Sequence, residues 1–111
     1  MRWYTIDELL PADVKRIAAA MDARGMRGPI DGLYYIDVPA ELLSEEQTAH
    51  AAECGPHVMA LEVEDEFLRL ELLVRARGKM RCSCVHYAGP EARAWAMNQL
   101  DAIIREQDIQ V

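Results

Sequence analysis

The chain has 111 residues, of which 51% are apolar and 28% charged, and its 12 Lys+Arg stand against 19 Asp+Glu for a formal net charge of −7. That length fits one domain, residues 1–111, able to bury roughly two-thirds of its unfolded surface without a disulfide or metal, and the composition excludes disorder. The acidic balance argues against nucleic acid as a partner, and no apolar run approaches the ~20 residues of a membrane span.

In chain order, "TIDE" at residues 5–8 reads as a capping box, Thr5 and Glu8 exchanging side-chain and backbone hydrogen bonds at the start of a short helix. Pro11 interrupts it and opens a second helix running to about Arg24, with Val14, Ile17, Ala18 and Met21 at helical spacing as its buried stripe and Gly25 as its stop. "GMRGPIDG" is a loop, and "LYYIDV" at 33–38 is a strand ended by Pro39. Ser44 with Gln47 makes a second capping box, for a helix that ends at Gly55. Residues 57–64, 67–77 and 80–87 read as three strands joined by tight turns at Asp65-Glu66 and Gly78-Lys79. Pro90 opens a last amphipathic helix with Ala92, Ala96, Leu100, Ile103 and Ile104 on one side.

The expected order is therefore α-α-β-α-β-β-β-α, an α+β fold with a largely antiparallel sheet of about four strands, the 57–87 meander, and three main helices. Turn length sets the register and hence the faces. Met59, Leu61 and Val63 share the apolar face with Leu68, Leu70, Leu72 and Val74, joined by Val85 and Tyr87. Glu62, Glu64, Arg69, Glu71 and Arg75 fall on the other face, together with Cys82, Cys84 and His86.

Three cysteines, an odd number, and an N-terminus without the apolar core of a signal peptide lead us to expect reduced thiols and a cytoplasmic setting. All three thiols sit near histidines: His50, Cys54 and His57 around one helix end, and Cys82, Cys84 and His86 in "RCSCVH". His50 and Cys54, four apart, share a helix face. Cys54, His57, Cys82 and Cys84, with His50 and His86 in reserve, make a candidate zinc set. Its strand half is awkward, because alternate side chains of a flat strand stand roughly 7 Å apart and zinc-bound sulfurs about 4 Å; a bend is required.

Arg75, Arg77, Lys79 and Arg81 form a basic tip suited to an anion or a protein partner. The second sheet face mixes Val58, Phe67 and Leu73 with charges, and Trp3, Tyr4 and Trp95 are candidate interface anchors. There is no phosphate-binding glycine loop, paired C-x2-C knuckle or G-x-S-x-G turn, and no family pattern emerges. The leading expectation is a protein-interaction or regulatory module that forms a homo-oligomer and needs no cofactor. A zinc-binding domain is the alternative, and a small enzyme with a reactive thiol a second one.

Overall fold

A computed structural model describes residues 1–111. The elements are β1 (Trp3–Ile6), α1 (Pro11–Ala23), β2 (Leu33–Asp37), a 3-10 turn (Ala40–Leu42), α2 (Glu45–Cys54), β3 (His57–Val63), β4 (Leu68–Ala76), β5 (His86–Tyr87) and α3 (Pro90–Glu106). The α+β class, the three main helices and the antiparallel sheet are as expected, and from Pro11 onward the elements follow the expected order. No helix is long and apolar enough to cross a membrane.

The short helix expected from Thr5 does not form, and residues 3–6 are a strand instead. Trp3–Ile6 pairs antiparallel with Glu71–Leu68 of β4. A helix confined between Thr5 and Pro11 would be too short to offset its nucleation cost, whereas "WYTI" is β-prone and the edge of β4 offers a ladder. Tyr4 and Ile6 then face the core, and Glu8 closes the segment at φ 56°.

The sheet order is β1-β4-β3-β2, with β5 pairing the upper half of the same β4 edge that β1 uses lower down. The turn at Asp65-Glu66 is as expected and sets Glu62 opposite Arg69 and Val63 opposite Leu68. Between Met59 and Leu61 the register shifts, so β4 carries two extra residues between Leu70 and Val74. Because strand periodicity is two, a shift of two leaves each side chain on its face. Met59, Leu61, Leu68, Leu70, Leu72 and Val74 accordingly join one core cluster with Val14, Ile17 and Met21 of α1 and Ala96, Leu100, Ile103 and Ile104 of α3. β2 is an edge strand, but Met26–Gly28 covers part of its outer side: Tyr35 N–H donates to the Met26 carbonyl and Gly28 N–H to that of Leu33.

The expected strand 80–87 shrinks to His86–Tyr87, and residues 77–85 form a loop. Leu73 pairs with Tyr87 and Val74 with His86, so the two hairpin faces are reversed relative to the expected register: His86 lies on the core side and Tyr87 on the opposite one. The cause is Gly78. Its N–H donates to the Cys54 carbonyl (2.8 Å), while Arg77 N–H donates to that of Pro56 (3.0 Å). A two-residue primed hairpin would leave no such contact, and the strand cannot simply turn back.

A Cβ on Gly78 would lie 2.8 Å from the Gly55 carbonyl oxygen and 2.9 Å from those of Cys54 and Glu53. Glycine is required here for space under the end of α2. Backbone atoms cannot step aside as a flexible side chain would, so Gly78→Ala is expected to destabilise the fold by about 1–3 kcal/mol, measured as a lowered urea midpoint with unchanged slope. Wild-type stability in that variant would show the approach to be dispensable.

Candidate metal centre

The end of α2 and the loop 77–85 meet over the top of β3 and β4. α2 begins with the expected capping box: Gln47 N–H donates to Ser44 Oγ (3.1 Å) and Ser44 N–H to Gln47 Oε1 (3.0 Å). Gln47 is buried, and its Nε2 donates to the Cys84 carbonyl (3.1 Å), so the cap residue also ties down the loop. Ser83 Oγ bonds the Glu46 carboxylate, and Val85 N–H donates to the Cys82 carbonyl (3.0 Å), closing a turn around the C-x-C pair. Cys54, Ala76 and Cys84 form a small buried cluster separate from the main core, with Cys82 and Val85 against it.

Within this joint, a ring nitrogen of His50 and the sulfurs of Cys54, Cys82 and Cys84 lie within 4.8 Å of one another. His50 Nδ1 is 3.1 Å from Cys82 Sγ and 4.0 Å from Cys54 Sγ. A zinc tetrahedron with Zn–S of about 2.3 Å and Zn–N of about 2.0 Å has edges of roughly 3.5–3.8 Å, so small side-chain rotations suffice to close the shell. No cysteine is in a disulfide. The bend that a C-x-C chelate needs is supplied by the turn at Cys82–Val85.

The other sequence candidates fall around this group. His57, at the start of β3, is buried with its Nε2 3.4 Å from Cys84 Sγ, and its Nδ1 has no partner. His86 turns elsewhere, its Nε2 3.0 Å from Ser44 Oγ. Cys82, Cys84 and His86 do not line the charged sheet face; the loop carries both thiols to the helical side. Arg75 does not lie across from Cys82, being opposite Val58 and making a bidentate pair with Glu71 (2.6 and 2.9 Å). Of the basic tip, Arg75 is paired with Glu71, Arg77 lies over Tyr35 (4.7 Å to the ring centroid), and Lys79 and Arg81 are exposed in the loop. Of the aromatic anchors, Tyr4 and Trp95 pack on the core, and the Tyr4 hydroxyl donates to Asp101 (2.7 Å).

Electrostatics separates the thiols. The Cys84 backbone N–H points at the Cys82 sulfur, and with the Cys84, His50 and Cys54 side chains it pulls the Cys82 thiol down to about 6. Burial, reinforced by the neighbouring thiols, pushes Cys84 up to about 12, and burial likewise raises Cys54. Burial, then the charges of His50 and His86, lowers His57 and keeps it neutral. One negative charge thus settles at Cys82 in a metal-free cluster, where a cation would take the place of the remaining protons.

No known family, curated protein or solved structure gives a significant match to this chain.

Without metal, Cys82 is both half-exposed and the best thiolate, so iodoacetamide is expected to modify it first at neutral pH, its rate rising through about pH 6 as the thiol ionises. Peptide mapping reads the order. Labelling of Cys54 or Cys84 ahead of Cys82 would contradict this arrangement.

Proposed function

We propose that the chain is a zinc-binding domain whose ion is structural, held by His50 Nδ1 and the thiolates of Cys54, Cys82 and Cys84. The observation that carries this reading is the mutual approach of these four ligand atoms to within 4.8 Å. Three sulfurs and one imidazole suit a borderline-soft ion and not calcium or magnesium, which take oxygen. A shell filled by four side chains leaves no position for water or substrate, the arrangement of structural rather than catalytic zinc.

His57 acts from outside the shell. Its ring lies 3.4 Å from Cys84 Sγ, so a neutral His57 donates Nε2–H to that sulfur and offsets thiolate charge. Among the histidines of the expected set, His50 is then the ligand and His57 its support. The spacing of His50 and Cys54 on one face of α2 is what makes them partners.

Protein purified without added metal is expected to contain one zinc per chain, lost in Cys54→Ser, Cys82→Ser or Cys84→Ser. Removal of the ion by chelation should lower the melting temperature by on the order of 20 °C, since zinc at ~1,000 times its dissociation constant contributes about 4 kcal/mol. A stable, fully folded chain that ignores both zinc and chelator would overturn the proposal.

The two histidines separate quantitatively. His50→Ala should weaken zinc binding more than about 100-fold, and His57→Ala by about 10–100-fold, as for loss of an outer-shell partner. Competition with a chromophoric chelator measures both, and the reverse ranking would make His57 the ligand.

A further inference from the structure

All three helices and the metal joint sit on one face of the sheet, and no helix covers the other. On this open face β register aligns Trp3 with Glu71, Leu33 with Glu62 and Arg69, Asp37 with Val58 and Arg75, and Leu73 with Tyr87. Four of the chain's seven aromatic side chains lie there: Trp3, Tyr35, Phe67 and Tyr87. Each is associated with an arginine: Arg69 lies over Trp3 (4.3 Å) and Phe67 (5.6 Å), Arg77 over Tyr35 (4.7 Å), and Arg2 over Tyr87 (5.9 Å). Aromatic and arginine side chains are the types enriched at the centres of protein interfaces. A hollow of about 300 Å³ opens between Tyr35, Val58 and Arg75, and on its rim Met80 is 86% exposed.

The charge on this face differs from that of the whole chain. Asp37, Glu62, Glu64 and Glu71 are balanced by the four arginines Arg2, Arg69, Arg75 and Arg77, so the face is formally neutral while the chain carries −7. Its charges are also paired internally, Arg69 with Glu62 (2.7 Å) and Arg75 with Glu71. The excess negative charge therefore lies elsewhere, where it repels a second copy.

We propose that two copies of this chain associate through this face, sheet against sheet. A polyanion or an acidic peptide would have to break the existing ion pairs, and a basic partner is better served by the acidic remainder of the surface. A second copy presents the same neutral, aromatic platform, and packing aligned sheets face to face interdigitates such side chains. Strands of 4, 5, 7 and 9 residues, rising about 3.3 Å per residue and lying about 4.8 Å apart, give a platform near 400 Å² in projection. With side-chain relief and the rim, that approaches the ~800 Å² per partner of a stable interface. The four ligand atoms of the zinc reading lie on the other side of the sheet, and loop 77–85 meets this face only through Arg77 and Met80.

Sedimentation equilibrium of the full-length, metal-loaded chain over ~1–100 μM tests it, with zinc content measured on the same samples. The expected result is a dimer. Tyr87→Glu, at a position 42% exposed, and Tyr35→Glu should each weaken it at least about ten-fold. Ala94→Glu, exposed on α3, should leave association and zinc content unchanged. A monomer at every concentration, or a dimer weakened by Ala94→Glu and not by the tyrosine variants, would overturn the proposal. So would a single-stranded RNA oligonucleotide that binds the monomer and is released by Tyr35→Glu. A zinc-loaded monomer would remove the dimer alone, and a metal-free dimer would remove the zinc reading alone.

Discussion

Two backbone hydrogen bonds at the end of β4 decide what the rest of the chain can do. Arg77 N–H reaches the Pro56 carbonyl and Gly78 N–H the Cys54 carbonyl, so the last turn of α2 and the end of β4 are held together. The carbonyls of α2's last turn have no partners within the helix, and the strand end satisfies that of Cys54. The chain then leaves the sheet instead of folding back along it. Cys82 and Cys84 are carried to the helical side, beside a Cys54 fixed by the same contact. A flat strand would have held alternate thiols too far apart for one ion.

Much of the frame is local, and local information is what a sequence displays. Ser44 and Gln47 are three residues apart and make the reciprocal bonds that their spacing implies. The Asp65-Glu66 turn fixes the register of its hairpin, and the stripe Val14, Ile17, Met21 faces the core as helical spacing requires. The failures are cases where a distant segment overruled a local signal. Thr5 and Glu8 fit a capping box, but the free edge of β4 drew residues 3–6 into the sheet. Gly78 looked like a glycine needed for a hairpin dihedral, and its actual constraint is the space beneath the carbonyls of residues 53–55. The expected set put His57 ahead of His50, whereas the ligand atoms that converge include His50, because the joint's position depends on where loop 77–85 runs. The i, i+4 relation of His50 and Cys54 was the signal that pointed to it.

The two faces of the sheet divide the chemistry. Alternation puts Met59, Leu61, Leu68 and Leu70 under the helices and leaves Glu62, Arg69, Glu71 and Arg75 on the other side. The two-residue shift between Met59 and Leu61 preserves that division; an odd shift would have sent one arm of each strand to the wrong face. Glu71 shows how charge is accommodated on a partly apolar surface. It is buried, yet Arg75 takes both of its oxygens, so the carboxylate leaves water without being left unpaired. Arg69 covers Trp3 and Phe67 with its guanidinium while binding Glu62, combining a planar stack with a charge pair in a way lysine would not. A face built in this way is neutral and largely self-satisfied, which is why its aromatic content, and not its charge, sets what it can meet.

The joint itself lacks the apolar material that orders the rest of the chain. Loop residues 77–85 contain no helix or strand, and their cluster with α2 has only Cys54, Ala76 and Cys84 fully buried. Ordering nine backbone residues costs about 9–18 kcal/mol, and three small side chains return only a few kcal/mol of transfer free energy. The loop's hydrogen bonds, each worth about 1 kcal/mol net, leave a shortfall of about 5 kcal/mol. A structural zinc at ~1,000 times its dissociation constant, contributing about 4 kcal/mol, would close most of that gap. An ion held there would do for the loop what Leu, Ile and Met do for the sheet, and three thiols with an imidazole are found where the hydrophobic core stops.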